Sequence, residues 1–144
     1  MSRLPRHLEH LKTGFTAEAV SAAMFRAFAE QAAGEDKPNL ARFWRELAER
    51  KDRLAIAQLG ASGRIKDEDA NLKTAIAEEQ YEIEVLYPRL VADLRGFSHA
   101  DEATLLEAVT AEQRRHAEAL DRLRKEMKGA TEDVGEPSIP ESGL

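Results

Sequence analysis

The chain has 144 residues and a net charge of −6, is 33% charged, 42% hydrophobic and only 6% aromatic, and contains no cysteine. That length predicts one domain with a sizeable core. The missing cysteines exclude disulfides, thiolate-bound zinc or iron–sulfur centres and thiol catalysis, while the negative balance, with no one-sided basic tract, argues against a general nucleic-acid binder.

The composition predicts an all-α protein. Residues 1–15 read as a lead-in with room for a turn or two of helix. A first helix starts at the N-cap Thr16 and runs to about Ala33, ended by Gly34. Asp36 and Pro38 open a second, with proline in its first turn, and Gly60-Ala61-Ser62-Gly63 breaks it after Leu59. A third runs from Asp67–Asp69 to Leu94, with Pro88 expected to kink it. Ser98 and Asp101 resemble a capping box for a fourth, which ends before Gly129. Residues 130–144 are acidic and rich in Pro, Gly and Ser, and read as a disordered tail. No apolar run approaches the roughly 20 residues of a membrane span, and the polar start is unlike a signal peptide. No membrane association and a cytoplasmic location are therefore expected.

Each helix carries an apolar stripe at helical spacing. The first offers Phe15, Ala22, Phe25, Phe28 and Ala32, and the second Leu40, Trp44, Leu47 and Leu54. The third offers Leu72, Ile76, Ile83, Leu86 and Leu90, and the fourth Leu105, Val109, Leu120, Leu123 and Met127. Each stripe is interrupted by polar residues, namely Glu18; Lys51; Glu79 with Glu82; and Gln113 with His116. A four-helix bundle covering residues 16–129 would bury all four stripes. The halves also match. Glu18 to Lys51 spans 33 positions and Glu79 to Gln113 spans 34, and Lys51–Leu54 and Gln113–His116 share a three-residue step. This pattern reads as a decayed duplication, two helix pairs joined by a short crossover.

Polar groups facing a core cost several kcal/mol unless paired or metal-bound, so the interruptions predict a shared site. Di-iron bundles use a lone Glu from each of two helices and Glu-x-x-His from the other two. Glu18 and Glu79 fit the lone glutamates, Glu82 lies one turn beyond, and His116 fits a ligand histidine. Lys51, Leu54 and Gln113 stand where Glu, His and Glu belong. Glu112, at i, i+4 from His116, is a further ligand candidate. Metal candidates are therefore Glu18, Glu79, Glu82, His116 and Glu112. Three outcomes stay open, namely a metal-free polar network, one iron or other divalent ion, and a working two-metal centre. For Lys51 an outward-snorkelling side chain and an internal salt bridge are both open.

The string Asn71-Leu72-Lys73, Ala75-Ile76, Glu79-Gln80-Tyr81-Glu82, Leu86-Tyr87-Pro88 resembles the third helix of rubrerythrins, a branch of the ferritin-like superfamily. A weaker likeness covers Glu18 seven residues before Phe25, where that family usually has Tyr, and Phe43-Trp44-Arg45-Glu46-Leu47-Ala48-Glu49. The resemblance spans residues 15 to 127. It implies a ferritin-like four-helix bundle, a homodimer or larger oligomer, and a di-iron peroxidase ancestry. With three ligands substituted, the expected role is non-catalytic binding or assembly around a degenerate site. The alternative is an iron-dependent peroxidase or ferroxidase-type oxidoreductase. A weaker possibility uses the tail to dock a protein partner.

Overall fold

The computed structural model describes residues 4–129 and 132–144. Its elements are helical throughout: α1 Arg6–Gly34, α2 Pro38–Ala61, α3 Glu68–Tyr81, a π-helical turn Glu82–Leu86, α4 Tyr87–Gly96 and α5 Ala100–Met127. No strand occurs among the described residues, and α3, the π turn and α4 run on as one rod, giving four helices in all. The sequence expectations at positions 1–3 and at Ala130 and Thr131 lie outside the described residues.

The chain divides into two compact units, residues 1–66 and 67–144. Each is a two-helix hairpin: α1 packs on α2, and the α3–α4 rod packs on α5.

In the first hairpin, α1 begins ten residues ahead of Thr16, with Pro5 just before its first turn. Thr16 is not the cap. Its Oγ1 donates to the Lys12 carbonyl at 2.9 Å, the back-bonding available to threonine inside a helix. α1 closes with a left-handed residue at Asp36 (φ 57°), and the Lys37 N–H reaches back to the Ala32 carbonyl at 2.9 Å. This six-residue closure satisfies the last carbonyls of the helix. Asp36 therefore ends α1 instead of opening α2.

The second hairpin repeats the device. Ser98 (φ 64°) is left-handed, and the His99 N–H bonds the Leu94 carbonyl at 2.8 Å. Ser98 thus terminates α4, and α5 starts at Ala100 without a side-chain cap bond. Asp67 does cap α3, accepting from the Ala70 N–H at 2.8 Å.

The seam of the first hairpin is made of alanine. Ala22, Ala29 and Ala32 of α1 and Ala41, Ala48 and Ala55 of α2 are at most 3% exposed. On α2 these stand one residue after Leu40, Leu47 and Leu54, a rotation of about 100°. Leu40 and Leu54 are consequently 44% and 51% exposed. Interaxial distance depends on the side chains at the contact, and methyl groups permit a close one. Phe25, Phe28 and Trp44 form an aromatic cluster with ring centroids 5.2–6.1 Å apart. In the second hairpin Leu72, Ile83 and Ala103 are buried.

The π turn explains a numerical mismatch between the halves. Asp36 and Ser98, Lys37 and His99, Ala41 and Ala103, Lys51 and Gln113, and Leu54 and His116 are all 62 positions apart, whereas Glu18 and Glu79 are 61 apart. The second rod thus carries one extra residue between Glu79 and its turn. The Tyr87 N–H bonds the Glu82 carbonyl, a wide i→i−5 bond that absorbs one residue. Pro88, which has no N–H to offer the Glu84 carbonyl, follows directly. The expected kink is realised as a π turn.

Candidate functional site

In the first hairpin α1 supplies Glu18 and α2 supplies Lys51. The Lys51 ammonium lies 2.8 Å from Glu18 Oε2. The contact is an ion pair by distance, but it falls outside hydrogen-bonding angles, so the buried Oε2 has no directed hydrogen bond. Lys51 thus turns towards Glu18 and does not snorkel outward. Leu54, one turn further, is 51% exposed.

In the second hairpin, α3 and the start of the π turn face α5. Gln113 Nε2 donates to Glu82 Oε2. His116 lies between two carboxylates, with Nδ1 3.9 Å from Glu79 Oε1 and Nε2 3.4 Å from Glu112 Oε1. Glu79 Oε2 is buried without a hydrogen-bond partner. Burial, and then the charge of Glu82, push the Glu79 carboxyl above its usual range, against the opposing pull of His116.

Glu112 is a hub. Its Oε2 accepts from Arg115 Nη1 at 3.0 Å and from the Gly143 backbone N–H at 3.2 Å, and the nearby Ser142 hydroxyl also favours the charged carboxylate. Burial works to raise its pKa, but these donors outweigh it and hold the carboxyl below the usual carboxylate range. Arg115, Ser142 and Gly143 were not legible as site residues. A Ser-Gly-Leu ending within an acidic stretch carries no periodic signal, and the partner it meets is 31 residues away.

The proposed ligands therefore fall into two sets, Glu18 with Lys51 in one hairpin and Glu79, Glu82, Glu112, Gln113 and His116 in the other. Among the described residues, no three His, Asp or Glu side chains are gathered closely enough to hold an ion. The positions that a two-metal template assigns to Glu on α2 and α5 carry instead an ammonium and an amide, both donors. In the second hairpin the amide hydrogen-bonds a carboxylate oxygen and in the first the ammonium pairs with one by charge, so the residues present do not fit a two-metal centre. What the arrangement does chemically is neutralise and orient carboxylates from within the protein.

No family model matches this chain, and no curated protein matches it in sequence. No helix among the described residues is long and apolar enough to cross a membrane.

Proposed function

We propose that this chain is a rubrerythrin-like protein of the ferritin-like superfamily in which donors have replaced metal ligands, leaving a non-catalytic bundle that acts in binding or assembly. On this reading the two hairpins are the halves of one ancestral four-helix unit, and the protein works as a homo-oligomer. The observation that carries the proposal is the pairing of Lys51 with Glu18 and of Gln113 with Glu82. A carboxylate buried near a missing cation needs another positive or donor group. Here each half supplies one at the equivalent helix position, 62 residues apart.

A second reading rests on Glu79. Its Oε2 has no hydrogen-bond partner, and His116 stands between its other oxygen and Glu112. A single divalent ion taken by Glu79, Glu82 and His116, with Glu18 or Glu112 as a further candidate, would have to draw these side chains together. Among the described residues, no three of them are gathered closely enough to hold it. A metal there would supply Lewis-acid or redox chemistry, as in an iron-dependent oxidoreductase.

Anaerobic reconstitution with ferrous iron, desalting and elemental analysis separates the readings. No retained iron supports the donor-replaced bundle. About one iron per chain, lost in His116→Ala, favours the single-ion reading. About two would overturn both and point to peroxidase assays.

A further inference from the structure

The chain leaves α5 at Met127, yet Ser142 and Gly143 return to Glu112, about four helical turns back along the same helix. The intervening residues are long enough for this, since an extended chain covers roughly 3.3 Å per residue. The described tail therefore folds back along α5 within its own unit. Its largest apolar side chains do not anchor it, since Ile139 and Leu144 are each 66% exposed. The contacts concentrate at one point. Gly143 donates its N–H to Glu112 Oε2, and the Arg115 guanidinium lies over Gly143. A Cβ at position 143 would stand 3.1 Å from Arg115 Nη1 and 3.2 Å from Nη2, so the approach suits glycine. Arg115 also bonds the same Glu112 oxygen, which makes Glu112 and Arg115 two sides of one clamp.

We infer that Ser142-Gly143-Leu144 is a latch closed on the Glu112–Arg115 clamp, a strap that covers the Glu112 carboxylate beside His116 and exposes it on release. When the latch is closed, Glu112 Oε2 is taken up by Arg115 and Gly143, and only Oε1 faces His116. When it opens, Glu112 Oε2 loses the Gly143 N–H and keeps only Arg115, so the Glu112–His116 pair gains an open side towards solvent or another ligand. The latch stands on these contacts alone and does not depend on the metal content of the protein.

A serine carboxypeptidase tests it on the full chain in chelator-containing buffer. Removal of a clamped terminus follows the population of the released form. The rate of Leu144 release is compared with that from a synthetic peptide of residues 130–144. The intact chain should release Leu144 at least about tenfold more slowly, since hydrogen bonds to a charged group hold the terminus. Glu112→Ala should approach the peptide rate. Gly143→Val, which sets a side chain against Arg115, should do the same relative to a peptide carrying that substitution, with unchanged helical circular dichroism as the check on folding. Equal rates for the intact chain and the peptide, or no acceleration in either variant, would overturn the latch.

Discussion

Lys51 Nζ stands 2.8 Å from Glu18 Oε2 across the first hairpin, in an ion pair whose side chains are only 28% and 23% exposed. The attraction is felt through partly excluded water, so it exceeds that of an exposed pair, which is worth ~0–1 kcal/mol. Removing one partner also leaves the other charge uncompensated. Lys51→Met should therefore destabilise the protein by about 1–2 kcal/mol at neutral pH, measured by urea denaturation. The double variant Lys51→Met/Glu18→Gln should recover most of that loss. A neutral single variant would show that the pair contributes nothing.

The helix content, the four-helix count and the places where helices end were legible in the sequence, because glycine and proline punctuate it strongly, whereas Asp36 and Ser98 close helices that they were expected to open. The seam was not. Large side chains such as Leu40 and Leu54 drew the α2 stripe one residue away from Ala41, Ala48 and Ala55, since alanine is common in helices and its spacing of seven does not stand out. The start of α1 was also missed, because Thr16 has the chemistry of a cap but spends its hydroxyl on the Lys12 carbonyl. Of the candidate site, the polar interruptions on each helix were legible from spacing. That Gln113 meets Glu82, at the start of the π turn, was not legible, and nothing in the local pattern announces that turn beyond Pro88.

Glu79 carries a predicted pH dependence. Its carboxyl is pushed above the usual range by burial and then by Glu82. Between the unfolded value and the raised folded one, the native state binds more protons than the unfolded state. Stability therefore falls as pH rises through that window, and the penalty persists above it. Glu79→Gln removes the charge and should be more stable than the parent at pH 7. The advantage should shrink as pH is lowered towards 4.5, the ordinary glutamate value, and vanish below it. Paired urea titrations at the two pH values give the difference, and an advantage that grows on acidification would contradict the burial argument.

The extra residue of the second rod makes a length prediction. If the π turn absorbs one residue relative to α1, deleting exposed Glu84 should let Glu82–Leu86 revert to α-helical winding with both flanks still in phase. Deleting Glu118, exposed within uninterrupted α5, has no such outlet and must rotate one flank by about 100°. The Glu84 deletion should therefore be the milder by more than about 1 kcal/mol, with unchanged helical circular dichroism. Equal damage from both deletions would remove the π turn as the site of the insertion.

Gly14 and Gln58 give a coupled pair inside the first hairpin. A Cβ at Gly14 would fall 1.7 Å from Gln58 Oε1, a flexible end that must move aside and that now bonds the Leu54 carbonyl through Nε2 at 3.2 Å. Glycine within a helix costs about 0.5–1 kcal/mol relative to alanine. Gly14→Ala alone should therefore gain little, because Gln58 has to be displaced. In a Gln58→Ala background the same change should stabilise by the full ~0.5–1 kcal/mol. A double-mutant cycle by thermal melting reads the coupling, and additive effects would show that Gln58 yields without cost.

Restoring the ligands is the most demanding test of the proposed ancestry. Lys51→Glu, Leu54→His and Gln113→Glu together rebuild the two Glu-x-x-His steps that the template requires. Without metal, the new carboxylates stand against Glu18 and Glu82, where donors now sit, so the apo variant should be less stable than the parent. With ferrous iron, the same repulsion becomes a ligand field. An ion present at 100 times its dissociation constant would raise stability by about 2.7 kcal/mol. The melting temperature of the triple variant should thus rise with anaerobic iron while that of the parent stays fixed. The Lys51→Glu single variant should share the apo instability without the rescue, because α2 would still lack a histidine and α5 a glutamate. If iron leaves the triple variant unchanged, the helix positions are not those of a metal site, and the pairing of Lys51 with Glu18 is an ordinary ion pair of a helical hairpin.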